Sequence, residues 1–469
     1  MKKCNLPLTF CFPGHIIKEK GIDSGLGETM IKREIIEKLV SWKNSKKRKP
    51  LILTGVRQCG KTSSILEFGN LFFKDVAYIN FEETPEAGDI FDYNFDTDRI
   101  LDALGSLILN KKITVGSTLL VFDEIQVCPK AITSLKYFCE KKRDLHLIAA
   151  GSLLGVALRS NEVSFPVGKV DRLRMFPLSF REFVVADGGE KYITGLEKYD
   201  KSAELPGLFT TPLEDYLKKY YIVGGMPEVV QDWIDNHDFD SVEKIQNNII
   251  RDYSDDLVKH APKDELQNLR AILDCMPEQL AKENNKFIFS RVKQGARAKE
   301  LETSVQWLID AGLVHKLDKV EKPEIPLSST ADAEYFKLYF SDIGLMRCKA
   351  GIYYKTILEE SDLYQKFKGA MAENYVLCEL IKRELPAWFW RSGNTAELDL
   401  ISEYHGEIIP IEVKAADNTM AKSYRQFAKK YSPPVGFKFS LKNIGKNMVE
   451  NTETYSLPLY LVYRICEYM

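Results

Sequence analysis

The sequence predicts an α/β protein of several domains: a parallel sheet around a phosphate-binding loop, then helices, a winged helix-turn-helix, and a second α/β module. Three observations predict it. Short apolar strands alternate with helical periods over the first third of the chain, the pattern of a parallel sheet covered on both faces. Gly55-Val56-Arg57-Gln58-Cys59-Gly60-Lys61-Thr62 matches G-x-x-x-x-G-K-[ST] in full, between one such strand and one such helix. After Pro177 the pattern turns mainly helical, and from residue 333 a new α/β order begins.

Residues 1–29 carry Gly and Pro without a clear period and read as an N-terminal extension. From Met30 the period sharpens: Ile31, Ile35, Leu39 and Trp42 recur at helical spacing. The run Lys46-Lys47-Arg48-Lys49 closes that helix before Pro50 and reads as a solvated linker. Strands are expected at 51–53, 76–81, 118–122 and 145–150, with helices between them, among them 98–109 and 131–141. This core unit spans 30–175. Helices at 176–183, 216–223 and 241–257, broken at Gly188-Gly189 and Gly224-Gly225, make a helical unit over 176–261. Helix 266–280, a short segment 287–294, a helix ending at Gly312 and strand 313–320 follow the order of a winged helix-turn-helix over 262–322. Residues 322–332, with two prolines, read as a linker. Helix 364–384, strands 388–391, 397–402 and 408–413, and helix 423–431 form the last module, 333–440, before a C-terminal segment 441–469.

Composition narrows the class. Hydrophobic residues at 45% and charged residues at 28% exclude wholesale disorder and collagen-like chains. Lys plus Arg at 65 against Asp plus Glu at 67 excludes a uniformly basic wrapper, though not a local basic surface. Nine cysteines without a C-x-x-C pair and six scattered histidines point to no zinc site and no disulfide framework, so a reducing cytoplasm is expected. The longest apolar stretch, 145–158, is too short for a membrane helix, and the proline-broken N-terminus does not read as a secretory signal.

The phosphate loop carries the first chemistry. Backbone N–H groups from Gly55 to Thr62, with Ser63 next on the helix, point at one place where phosphates can bind. Lys61 puts a point charge on the β and γ phosphates, and Thr62 offers a hydroxyl to Mg2+. Cys59 reads as a tolerated small side chain rather than a redox switch. Asp123-Glu124 ends an apolar strand and faces the crevice beside the loop. Asp123 would hold Mg2+ through water, and Glu124 would polarise the attacking water. Ser152, at the tip of the next strand, is placed to sense the γ phosphate. No Asn-Lys-x-Asp element reads guanine, so the expected cofactors are ATP and Mg2+.

The phosphate loop, Asp123-Glu-Ile-Gln126, Gly151-Ser152 and Pro177-Leu-Ser-Phe-Arg-Glu-Phe183 occur together, in this order, in one family. From about Met30 to Tyr431 the chain resembles AAA+-type ATPases of bacteria and archaea with a C-terminal domain of unknown function similar to PD-(D/E)XK nucleases. The resemblance implies a P-loop AAA+ core, a helical lid, a winged helix and a C-terminal α/β restriction-endonuclease-like domain. Members often have Gly-Arg before the Pro-Leu-Ser-Phe segment; here it is Gly168-Lys169, with Arg172 and Arg174 nearby, so an arginine finger is unassigned.

In the last module Glu412 and Lys414 alternate on a strand and share a face. With Asp399 on a neighbouring strand and Glu373 on the preceding helix, they complete the PD-(D/E)XK pattern. Glu373, Asp399 and Glu412 would hold Mg2+ while Lys414 orients water or neutralises charge. The alternatives are a surface ion pair, or a fold retained for binding. Arg291, Lys293 and Arg297 of the winged helix are candidates for DNA phosphates, and Trp388, Trp390 and Arg391 for stacking on bases. The expectation is therefore a Mg2+-dependent ATPase controlling a nuclease-like domain that acts on DNA. The alternative is an ATP-dependent switch or scaffold that binds DNA or a protein without cutting; a nucleotide kinase fits less well, since no acceptor-binding motif is found. No membrane partner is expected, and a homo-oligomer is left open.

Overall fold

Leu51-Ile52-Leu53 and Leu119-Leu120-Val121-Phe122 are apolar at every position, so neither face of these strands can meet water. The computed structural model describes residues 31–157, 165–282, 286–295, 298–393, 396–415 and 422–469. The N-terminal extension 1–29, Met30 and Arg297 lie outside the described residues. Strands β1 (Leu51–Gly55), β2 (Asp75–Asn80), β3 (Thr118–Asp123), β4 (His146–Ala150) and β5 (Asp171–Met175) form a five-stranded sheet in the order β2-β3-β4-β1-β5. Every pairing in it is parallel. All C-terminal tips therefore share one edge, and the tip of β4 lies between those of β1 and β3.

Side chains alternate between two cores. Leu51 and Leu53 pack with helices Ile35–Asn44 and Lys61–Phe72, while Ile52 packs with Thr97–Ala103 and Pro129–Lys141. The helix expected over 98–109 changes winding. Past Ala103 the chain takes a π turn, Leu104–Ile108, where Gly105 fits against the Lys111 carbonyl. Strand β5 was not expected. Arg172 and Arg174 alternate outward along this edge strand and remove its apolar look. The helix expected over 176–183 begins only at Phe180. Ser179 caps Phe180–Ala186 through a capping box with Glu182.

The middle of the chain is helical, chiefly Gly207–Val223, Pro227–Asn236, Phe239–His260 and Leu266–Leu280. Helices Phe289–Val292 and Ala298–Asp310 follow, then β6 (Val314–Val320) and β7 (Ala331–Phe340). Here the structure corrects the expected boundary. Most of the expected linker, residues 322–330, lies in the connection of an antiparallel β6–β7 hairpin, with Leu327 inside it fully buried, and residues 331 and 332 open β7 itself. This hairpin does not stand alone as a wing. It pairs through β6 with β8 (Ala387–Ser392), parallel, with Lys319 opposite Phe389. Strands β9 (Ala396–Tyr404), β10 (Glu407–Val413), β11 (Val435–Ser440), β12 (Gly445–Val449) and β13 (Thr452–Pro458) complete a mixed eight-stranded sheet, β12-β13-β11-β10-β9-β8-β6-β7. Helix Lys422–Tyr431 covers one face. The other receives Asp362–Lys382, which also packs on the 3-10 segment Leu459–Glu467. Residues 441–469 thus continue the sheet rather than trail from it.

Candidate functional site

The tips of β1, β3 and β4 bring the sequence-marked residues together. Gly55 lies so close to the Met175 carbonyl that a side chain has no room, and Gly60 takes a left-handed φ of 90°. Lys61 opens the helix and is buried; its Nζ donates to the carbonyls of Gly55 and Val56, both at 3.0 Å. Incoming phosphates would compete for these donors. Thr62 Oγ1 donates to Asp123 Oδ2 at 2.6 Å, and the Tyr78 hydroxyl donates to the same oxygen at 2.9 Å. The Glu124 N–H donates to Asp123 Oδ1 at 3.0 Å, so both carboxylate oxygens are held. Burial and the Asp123 charge push the Tyr78 phenol above its usual range, keeping it a donor.

Glu124 has a left-handed φ of 47°. Its Oε2 accepts from Gln126 Nε2 at 2.6 Å and from Ser152 Oγ at 3.5 Å. Ser152, expected at the γ phosphate, is buried beside Glu124. Sequence reading assigned no role to Tyr78 or Gln126. The Asp-Glu-Ile-Gln spacing was the available signal for Gln126; Tyr78 carried none, because only the β2–β3 register places it beside Asp123.

Arg57 and Gln58 of the loop reach a later helix. Arg57 Nη1 meets Asp256 Oδ1 at 2.6 Å, and Gln58 Nε2 donates to Asp252 Oδ2 at 2.8 Å, both on helix Phe239–His260. Val56 and Cys59 are buried in the core, and Ser63 is exposed. Lys169 forms an ion pair with Glu140 at 2.8 Å, while Arg172 and Arg174 lie over Phe165 and Phe176.

A second polar cluster lies on the eight-stranded sheet. Lys414 Nζ is 2.6 Å from Glu412 Oε1 and 3.8 Å from Asp399 Oδ2, which accepts the Val413 N–H at 2.8 Å. Burial, then the Glu412 and Glu373 charges, push the Asp399 carboxyl well above its usual range. Burial raises Glu412 too, and its Oε2 is buried without a hydrogen-bond partner among the described residues. Glu373 stands against residues that the sequence did not flag. Its Oε2 accepts from the Tyr339 hydroxyl at 2.9 Å and lies 3.7 Å from Nζ of Lys337, a lysine only 1% exposed. Lys337 also meets Glu397 Oε1 at 2.8 Å. Burial works against its charge, but the acids around it outweigh burial and raise its pKa. Two lysines sit among Glu373, Asp399 and Glu412, and among the described residues no three His, Cys, Asp or Glu side chains stand together as a ready metal cage. Alternation along β7 hid this, since Lys337 lies between apolar neighbours and no motif contains it.

The two sites are joined by bonds. Arg33 donates to the Cys59 carbonyl in the phosphate loop (3.0 Å), to the Phe176 carbonyl (2.7 Å) and to Glu182 (3.0 Å). The next residue, Glu34, accepts from Arg383 at 2.9 Å. Glu379 accepts the Phe180 N–H at 3.2 Å, and Lys382 donates to the Leu178 carbonyl at 3.0 Å. Glu379 and Lys382 lie on Asp362–Lys382, the helix that carries Glu373 about 9 Å upstream of Glu379 at ~1.5 Å per residue.

Residues 47–184 match an AAA domain, 214–356 a domain of unknown function (DUF8612), and 368–461 another (DUF4143). No curated protein matches the chain. Among solved structures, a Walker-type ATPase of Pyrococcus abyssi is 14% identical, with a TM-score of 0.41, covering 68% of this chain and 96% of its own. The ORC2 protein of Aeropyrum pernix, in ADPNP–ADP complexes, is 14% identical, with a TM-score of 0.33, covering 71% and 95%. The ORC1 protein of the same organism, in complex with DNA, is 14% identical, with a TM-score of 0.28, covering 69% and 92%. The parallel sheet and its phosphate loop are those of an ATPase of the AAA class. Among the described residues no helix is long and apolar enough to cross a membrane.

Proposed function

We propose that this protein is a Mg2+-dependent ATPase whose nucleotide state governs a nuclease-like site acting on nucleic acid. The observation that carries the reading is the bonded path from the Cys59 carbonyl, through Arg33 and Glu34, to the helix bearing Glu373. A phosphate loop that shifts on binding nucleotide moves the Cys59 carbonyl, and Arg33 transmits the displacement to a rigid helix. Thr62 and Asp123 supply hard oxygen donors 2.6 Å apart beside the loop, a set suited to Mg2+. When bound, the ion supplies charge neutralisation at the phosphates. Lys61 exchanges the Gly55 and Val56 carbonyls for phosphate oxygens, and Glu124, steadied by Gln126, takes the proton of the attacking water.

In the C-terminal module Asp399 and the unpartnered Glu412 Oε2 are the donors suited to a divalent cation, with Lys414 beside them to stabilise an anionic phosphate. One observation favours a second reading. Lys337 and Tyr339 already hold Glu373 by an ion pair and a hydrogen bond, as they would in a scaffold that binds without cutting. Phosphate release from ATP with Mg2+, with and without DNA, tests the ATPase reading. Wild type should hydrolyse ATP and Lys61→Ala should not; equal rates would sink it. Metal-dependent cleavage lost in Asp399→Asn supports the nuclease-like reading, and no cleavage by wild type in any nucleotide state turns the choice to the scaffold.

A further inference from the structure

Three cations converge on one aromatic ring at the open end of the eight-stranded sheet. Lys286 Nζ lies 3.8 Å from the Tyr335 centroid, Lys319 Nζ 4.7 Å and the Arg391 guanidinium 5.5 Å. Arg391 also donates to the Tyr335 hydroxyl. Each cation lies within the ~6 Å of the ring centroid at which the ring quadrupole attracts it. The charges are unevenly answered. Lys319 meets Asp332 at 3.0 Å and Arg391 meets Glu397 at 3.5 Å. Lys286 has no ion pair or hydrogen bond among the described residues; burial, then the Lys319 and Arg391 charges, lower its pKa against the opposing charge of Asp332. Such a grouping of like charges is relieved by an anion from outside.

Register puts this cluster on the same face as the carboxylates. Tyr335, Lys337 and Tyr339 alternate along β7. Arg391 pairs with Glu397 across β8–β9, and Lys337 Nζ lies over Phe389, two residues before Arg391 on β8. Contacts then run inward without a break, from Arg391 to Glu397, to Lys337 and to Glu373. Asp399 stands two residues beyond Glu397 on β9, about 7 Å along the strand. The face is basic and aromatic at its outer end and acidic at its inner end.

We propose that Lys286, Lys319, Arg391 and Tyr335 bind the phosphodiester backbone of a nucleic-acid strand and lead it to the carboxylate site. The cations take phosphate oxygens, Arg391 with its planar fork, while the Tyr335 ring excludes water beneath them. The direction of the strand rests on the nuclease-like reading of Asp399 and Glu412; the binding does not. This surface departs from one sequence expectation. Trp390 is fully buried, edge-on to Phe427 at 5.1 Å, with its N–H on the Glu321 carbonyl, and cannot stack on a base. Lys319 and Arg391 lie on strands of the sheet, and Lys286 on the segment that leads into helix Phe289–Val292.

The test is fluorescence anisotropy of the full chain with short labelled DNA and RNA, single-stranded and duplex, in chelator so that nothing is cut. Wild type should bind one of these. Lys286→Glu and Arg391→Ala should each weaken binding about tenfold, and Lys286→Glu should lower the salt slope by about 1 or more. Lys286→Arg should retain the affinity, and unchanged melting of Lys286→Glu would show that it folds. Equal binding by wild type and Lys286→Glu, no binding by wild type, or displacement by polyglutamate as readily as by unlabelled strand would each overturn the proposal. Binding that depends on Lys286 without metal-dependent cleavage would uphold this surface and sink the nuclease reading. Cleavage lost in Asp399→Asn but indifferent to Lys286 would do the reverse.

Discussion

Gln126 shows how one side chain sets the chemistry of another. Its amide holds Glu124 Oε2 at 2.6 Å, on a backbone already in the left-handed region, and Gly151 packs against its carbonyl oxygen. Gln126→Ala frees the carboxylate to turn away from the attacking water. We expect kcat for ATP hydrolysis to fall about tenfold while KM hardly moves, because proton acceptance is lost and phosphate binding is not. Steady-state kinetics over an ATP series check this. His315 makes a second residue-level prediction. Burial, then the Arg174 and Lys382 charges, lower its pKa to about 3 against ~6.5 when unfolded. Between these values the unfolded chain binds the extra proton, so His315 costs nothing above pH ~6.5 and destabilises the fold progressively as pH falls towards 3. The slope approaches about 1.4 kcal/mol per pH unit. His315→Gln should flatten acid sensitivity over that window, read from urea midpoints at a series of pH values.

At the scale of elements, the start of helix Phe180–Ala186 is the joint on which the two halves meet. Ser179 Oγ accepts the Glu182 N–H at 3.1 Å, and Glu182 Oε2 accepts the Ser179 N–H at 2.7 Å. Glu182 Oε1 also takes the Glu34 N–H and the Arg33 guanidinium. Ser179→Ala removes one cap bond and should cost about 1 kcal/mol. Glu182→Ala strands a buried guanidinium and should cost about 3–5 kcal/mol. Denaturant midpoints measure both, and equal losses would contradict this account. The serine–glutamate spacing of this box is visible in the chain. The far partner Arg33, 149 residues away, is not.

For the whole molecule, Arg383 is the test of coupling. It ties Glu34 to the end of helix Asp362–Lys382 without touching either site. In wild type, nucleotide should change hydrogen-exchange protection of that helix by an amount corresponding to about 1–3 kcal/mol of coupling. In Arg383→Ala the change should vanish while ATP turnover persists. An undiminished response would remove Arg383 from the path. Pro227, near Gly60, and Gly312, packed on the Val56 backbone, show the same enclosure: helical segments from well beyond the first sheet wrap the loop.

The chain alone determined what depends on neighbours in sequence. The phosphate loop needs one strand, one glycine turn and one helix in succession, and its motif spells all three. The parallel sheet followed from unbroken apolar runs such as that before Asp123, and the Glu412–Lys414 pair from the two-residue period of a strand. Only tertiary structure decided what depends on register and on long separations. It placed Tyr78 on Asp123, set Lys337 and Tyr339 against Glu373, and made the β6–β7 hairpin part of the C-terminal sheet. It also buried Trp390 and gathered Lys286, Lys319 and Arg391 around Tyr335. The physical reason is common to all of these. A strand fixes which face its own residues take, but which strand lies beside it, and at what offset, is set by hydrogen bonds and packing between segments far apart in the chain.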